Sequence, residues 1–316
     1  MGHSSPISGY TPKVKFFKSK HWTIVQGSPR LGLEASALAA ILWGFGGIFV
    51  VLTTVSGLAL AFYRLWIGSV VLSVVLYSSG RRLSIAVFRA SWLAGVLLAA
   101  DMAMIFSAFK LTSIVDVTVI GAFQPALVLI VARPLFKEKM GRSDFIWILL
   151  AMAGISTAVL GPSSRGRLPI DGDLLALGAL LCWSAYWLVS KRVRMAIDAL
   201  EYTACVSIVA AIAVSIVVLL AHQSLGGVHS RDWIWIVILS IVPGSGHLIM
   251  NWAHRYVDAS VSSVVACLSP LVAAVAAMIF LGQSLTILQI FGVIVGLAAV
   301  ALIAVRHQEP TTPPLN

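Results

Sequence analysis

Long apolar runs follow one another along this chain, each bounded by Gly, Pro and charged residues. They predict helices near 31–52, 57–78, 92–110, 114–135, 143–161, 172–190, 199–221, 232–253, 259–281 and 285–305. Each run is close to the roughly 20 residues that carry a helix across a bilayer core. The first and sixth are the most interrupted by polar groups. The pattern predicts an all-α polytopic membrane protein with ten transmembrane helices.

The runs repeat. Lys110 to Pro125 reads KLTSIVDVTVIGAFQP and Arg255 to Pro270 reads RYVDASVSSVVACLSP, a shift of 145 that also sets Glu138 on Gln283. A shift of 140 pairs Gly32 with Gly172 and Trp43 with Trp183. A duplicated apolar chain with proline at matched depth points to a transporter of two repeats. Ten spans make two sets of five, and because five is odd the second set crosses with inverted orientation. The expected organisation is a basic cytoplasmic segment over 1–30, one repeat over 31–161, another over 172–305, and a disordered cytoplasmic tail over 306–316.

Charge tests the parity independently. With the N-terminus in the cytoplasm, 17 of the 22 Lys and Arg fall on the inner side and four on the outer, while Arg64 lies within a span. That imbalance follows the positive-inside rule and puts both termini inside, at a cell inner membrane. It also removes nucleic acid as a partner despite the net charge of +10, because the bases sit in short loops beside anionic inner-leaflet lipids. Hydrophobic residues make up 59% of the chain and charged ones 11%, against about 25% charged in soluble domains, so a water-facing surface cannot be covered.

The first 30 residues lack an apolar core of signal-peptide length. Pro6 breaks the myristoylation pattern after Gly2. Lys13 to Val25 mixes bases with Phe16, Phe17 and Trp22, which reads either as a surface anchor or as a basic tail that reinforces orientation. Cys182, Cys205 and Cys267 fall inside apolar spans and read as small buried hydrophobes, with no metal-binding spacing. No cofactor is expected.

The chain resembles the drug/metabolite transporter superfamily, in the ten-helix group that carries tandem EamA-type domains. The residues that carry the resemblance are Trp43-Gly44, Arg64, AFKLTSIVDVTVIGAFQPALVLI with Pro125, Glu138, WSAYWLVSKR, and NWAHRYVDASVSSVVACLSPLVA with Pro270. It covers roughly 31–305. The chain departs from the pattern at Gln283, where such repeats more often carry glutamate, and in having no second-half counterpart of Arg64. The resemblance implies small metabolites as cargo, often amino acids and often exported.

Pro125 and Pro270 each lack an N–H and so free the carbonyls of Gly121 and Ala266. Freed carbonyls at membrane depth are tolerated only against protein or a wet cavity. Matched bends there read as hinges lining a central cavity, with a static kink as the plain alternative. Gln124 and Ser269 precede the two prolines and face either substrate or the freed carbonyls.

Arg64 and Asp101 lie about 10 and 13 Å from the outer ends of spans two and three at 1.5 Å per residue. A lone charge there costs about 3 kcal/mol or more, so each needs a partner or a cavity. One reading makes Arg64 the anchor of a substrate carboxylate and gives Asp101 a proton or an amine. The other makes them a fixed ion pair.

His247 and Asn251 share a face of span eight. His247 is a candidate carrier of a coupling proton or a neutral ring bonded to a carbonyl. Trp43 and Trp183 either flank the cavity or pack between helices. Trp22, Trp92, Trp233 and Trp235 read as interfacial, and Glu34 as solvated. Gly44, Gly46 and Gly47 thin span one, and Gly292 and Gly296 thin span ten, for packing inside the bundle or between two copies. The chain is therefore expected as a monomer or homodimer in lipid.

The expected activity is secondary transport of a small molecule by alternating access, not catalysis. Without a P-loop its driving force is a gradient, and protons are the candidate. A multidrug or nucleotide-sugar carrier, a passive channel and an intramembrane enzyme are the alternatives.

Overall fold

The computed structural model describes residues 28–112, 117, 120–137, 141–159, 170–281 and 287–306. The readings that concern the N-terminal segment, Glu138, Gln283 and the C-terminal tail lie outside them. Twelve helices are described: α1 (Pro29–Gly44), α2 (Gly46–Leu52), α3 (Gly57–Ser78), α4 (Ile85–Leu111), α5 (Gln124–Phe136), α6 (Arg142–Val159), α7 (Ile170–Arg194), α8 (Ala199–Leu220), α9 (Ser230–Ala253), α10 (Ala259–Ala266), α11 (Leu268–Leu281) and α12 (Ile287–Arg306). Among the described residues six segments are long and apolar enough to cross a membrane on their own: α1 with α2, then α3, α4, α7, α8 and α9. With α5, α6, α10–α11 and α12 they lie within or overlap the ten expected spans.

Local chemistry sets many of the ends. Ser28, Ser56, Ser84 and Asp198 each accept a backbone N–H in the first turn of α1, α3, α4 and α8, which satisfies one of the orphan donors of a helix N-terminus. Between those ends the helices carry large exposed apolar side chains, among them Val70, Val74, Ile130, Leu219 and Phe291. Such a belt is stable against lipid and not against water.

The helix pairing is that of a pseudo-two-fold. α1 packs on α9, as α4 packs on α7. α3 packs on α8, α5 on α10, and α6 on α12, and each of these three pairs maps onto itself when the repeats are exchanged. Polar ties at the two ends give the helix directions. At one end Lys110, near the close of α4, donates to the carbonyls of Val50 and Thr53 at the close of α2, at 2.8 and 2.6 Å. There the Thr54 hydroxyl donates to Asp232 at the start of α9 (2.5 Å), and the Thr112 hydroxyl to Asp173 at the start of α7 (2.7 Å). The first repeat therefore runs toward the end from which the second departs, and the repeats are inverted.

The other end holds most of the described bases, and we call it the basic end. Arg81 pairs there with Asp198. Lys191 donates to the carbonyls of His254 and Val257 at 2.8 and 2.5 Å, and Arg194 to that of Asn251 at 2.5 Å. The charge count treated Lys110, Lys191 and Arg194 as loop bases. The structure folds them back onto carbonyls at and just beyond the ends of neighbouring helices, where the regular helical bonding runs out.

Among the described residues three spans break at mid-depth. The first is interrupted at Phe45, between α1 and α2, and the ninth at Cys267, between α10 and α11. In the fourth, a turn at Ala122 and Phe123 precedes α5. Pro125 and Pro270 thus sit in the first turn of a restarted helix, where no N–H is needed. The expected bends are breaks, because a segment that stops and restarts avoids the ring clash that a continuous helix would suffer. Two further prolines, Pro134 in α5 and Pro243 in α9, lie inside helices.

The small-residue face of α12 is used within the chain. A Cβ on Gly154 of α6 would lie 2.6 Å from the Gly296 nitrogen and 2.9 Å from the Gly292 oxygen.

Candidate functional site

The breaks in spans one and nine and the start of α5 surround a cavity of about 250 Å³, walled also by α3, α4, α7 and α9. It runs from mid-depth toward the end opposite the basic one. Trp43, Arg64, Asp101, Gln124, Trp183, His247 and Pro270 all line it, as does Ser269. Pro125 and Asn251 are buried but are not among the lining residues.

Arg64 is 6% exposed. Its Nη1 donates to Met102 Sδ at 2.7 Å, and its Nη2 lies 3.0 Å from His247 Nε2. Its guanidinium carbon stands 5.5 Å from the centre of the Phe106 ring. Arginine has only donors. His247 Nε2 therefore accepts, and the ring proton belongs on Nδ1, an assignment that follows from the hydrogen-bond network. Asp101 is 4% exposed and lines the same cavity. The two ion pairs among the described residues are Arg30–Glu34 and Arg81–Asp198, so Arg64 and Asp101 share a chamber without a direct pair. The packing of α9 against α3 is the reason: it sets His247 beside Arg64.

The aromatic wall grows out of the duplication. Trp43 and Trp183, matched by the repeat, meet edge to face with ring centroids 5.3 Å apart. His247 lies 5.3 Å from the first and 5.6 Å from the second. Tyr186 stacks on Trp183 at 5.2 Å. Gly246 makes the approach of α9 possible, since a Cβ there would lie 2.7 Å from Trp43 Nε1. Asn251, one turn beyond His247, donates to the Tyr186 and Thr203 hydroxyls, both at 3.0 Å. Its side chain is committed to tying α9 to α7 and α8.

Four polar atoms around the cavity are buried without a partner among the described residues: Trp43 Nε1, Arg64 Nε, Gln124 Nε2 and His247 Nδ1. All four are nitrogens that donate. The cavity therefore has unmet demand for acceptors, with the Asp101 carboxylate as the acidic group on its wall. A buried donor left unsatisfied costs about 1–3 kcal/mol, so a chamber of this kind favours an acceptor-rich guest.

Met102, Ile105, Phe106 and Phe109 also line the cavity and were not singled out from sequence. Together with Asp101 they recur at helical spacing along α4, and that periodicity was the available signal. Pro243 lines it too and carried no repeat match. Trp92 and Trp233 are exposed as interfacial residues should be. Trp235 instead stacks on Phe49 at 5.9 Å. Glu34 is exposed and paired with Arg30. Cys205 and Cys267 are buried and Cys182 partly so.

The model of the EamA-like transporter family matches this chain twice, over residues 30–160 and 170–305. The chain belongs to that family. It is a multi-pass membrane transporter rather than an enzyme, and the double match is the duplication seen in both sequence and packing.

Threonine/homoserine exporter RhtA of Salmonella typhimurium (strain SL1344) is 30% identical over 166 residues, 49% of this chain and 52% of that one. RhtA of Escherichia coli (strain K12) is 28% identical over 178 residues, 52% and 57% of the two chains. Uncharacterized transporter YwfM of Bacillus subtilis (strain 168) is 32% identical over 158 residues, 49% and 53% of the two chains. The chain spans about half the length of the curated relatives it matches. A solved crystal structure superposes with a TM-score of 0.74 over 88% of this chain and 99% of its own, at 18% identity, a likeness of fold.

Proposed function

We propose that this EamA-family transporter exports carboxylate-bearing metabolites of amino-acid type from the cytoplasm across the cell membrane by alternating access. The carrying observation is the cavity's four unpartnered donor nitrogens set around Arg64, with Asp101 on the same wall. Arg64, helped by the Trp43 and Gln124 N–H groups, holds the substrate carboxylate, since guanidinium presents paired donors to a carboxylate. Asp101 takes the ammonium group or the coupling proton. Trp183 lies against the apolar part of the cargo.

His247 acts through Arg64. A proton on its Nε2 would replace an acceptor with a second cation 3.0 Å from the guanidinium, which turns Arg64 out toward Asp101 and substrate. Asn251 stiffens the helix that carries His247. The breaks at Pro125 and Pro270 let the repeats rock about the midplane site. The basic end faces the cytoplasm, with both termini on that side, as the positive-inside asymmetry requires. Two relatives that carry the name threonine/homoserine exporter support export and this cargo class.

The test is thermal stabilisation of the purified protein by threonine, homoserine and other amino acids, each beside its amide. The acids should raise Tm in the wild type, and Arg64→Ala should abolish the shift. An amide that stabilises as well as its acid, or a shift that survives Arg64→Ala, sinks the assignment.

A further inference from the structure

The basic end of the cavity is closed by a layer that the cargo site does not explain. Trp187 of α7 is fully buried. Its ring lies 6.1 Å from Trp43 and 5.5 Å from Trp183, both cavity residues, and 4.8 Å from the ring of His254 on its other side. His254 caps α9 two turns beyond His247, roughly 10 Å along the helix. It is 0% exposed, and neither ring nitrogen has a partner among the described residues. Arg194 is 2% exposed and its Nη1 is likewise unpartnered. Backbone ties hold the layer shut: Lys191 on the His254 and Val257 carbonyls, Arg194 Nε on that of Asn251, and Trp187 Nε1 on that of Ala259 at 3.2 Å.

A hydrophobic floor would seal this end without loss. Here the seal contains an imidazole and a guanidinium edge that gain nothing from being dry. Each unpaired group disfavours the closed layer, and opening to water satisfies them. Resting on the alternating-access reading above, we propose that His254, backed by Arg194, is the gate element at the basic end. Its unpaired ring nitrogens keep the closed and open states close enough in free energy for the carrier to cycle. His254 is a positioning residue: it acts on access through Trp187, not on cargo.

The test uses the chain's own cavity-facing thiol, Cys267, in a Cys182→Ala, Cys205→Ala background. An impermeant maleimide is added to the basic side of oriented membrane vesicles. Labelling of Cys267 from that side reports opening there and needs no known cargo. Phenylalanine at 254 keeps the ring against Trp187 and deletes both nitrogens. His254→Phe should slow basic-side labelling by about tenfold or more and leave thermal stability equal or higher, because removing unsatisfied groups favours the closed state. His254→Gln, which keeps a polar side chain in the layer, should label near the wild-type rate. Unchanged or faster labelling of His254→Phe overturns the gate alone, as does a loss of thermal stability in that variant, the mark of a merely structural ring. Absence of basic-side labelling in the parent background overturns the alternating-access reading and the gate together.

Discussion

A close backbone approach between two helices that do not line the cavity tests the packing directly. Gly154→Ala places a methyl carbon 2.6 Å from the Gly296 nitrogen and 2.9 Å from both the Gly292 oxygen and the Gly296 Cα. All three neighbours are backbone atoms, so no rotamer change can make room. Ordinary contact lies near 3.5–4 Å, and α6 and α12 must separate by about 1 Å. Overpacking of this kind costs about 1–3 kcal/mol.

Gly68→Ala supplies the control, because a Cβ at Gly68 meets nothing within 4 Å. There a helical alanine gains roughly 0.5–1 kcal/mol over glycine. The two substitutions add the same atom to mid-helix glycines with opposite signs. At about 2 °C per kcal/mol for a large domain, thermal unfolding in detergent should show Gly154→Ala falling by about 2–6 °C and Gly68→Ala steady or rising by up to about 2 °C. Transport by Gly154→Ala at permissive temperature should stay near wild type, since neither α6 nor α12 lines the cavity. Equal effects of the two substitutions would refute the direct contact of α6 on α12.

Asn251→Leu removes the amide donor to the Tyr186 and Thr203 hydroxyls and should cost about 1–3 kcal/mol. Adding Tyr186→Phe should cost less than the sum of the single variants in a double-mutant cycle of thermal stability, and strict additivity would deny the bond. If protons drive transport through Asp101 and His247, the double variant Asp101→Asn, His247→Gln should still exchange cargo across vesicles but no longer concentrate it against a gradient. Retained uphill transport removes proton coupling through these residues.

The duplication was legible because it is written in residue order: Trp43 with Trp183, Gly32 with Gly172, and Pro125 with Pro270 all emerge from a fixed shift. So was most of the cavity's polar equipment, because an ionisable group within an apolar run costs too much to stand there without a partner or a chamber. Partnership was not legible. Depth along two helices allowed Arg64 to meet Asp101, yet the guanidinium meets His247, 183 residues away in sequence. Asn251 shared a face with His247 and was counted with the cargo site, but α7 and α8 approach that turn and take its side chain.

What the sequence determined by itself was the number, parity and apolar character of the spans. Lipid imposes those terms on each segment separately: enough length to cross, a backbone bonded to itself, and bases left on one side. What only the tertiary structure decided was which helices are neighbours and how each is rotated. Those choices turn three basic residues, Lys110, Lys191 and Arg194, from loop charges into caps on other helices, and bury His254 with no hydrogen-bond partner for either ring nitrogen among the described residues. The physical reason is range. Crossing a membrane is a property of some twenty consecutive residues, whereas a hydrogen bond spans about 3 Å and belongs to whichever helices the whole bundle brings together.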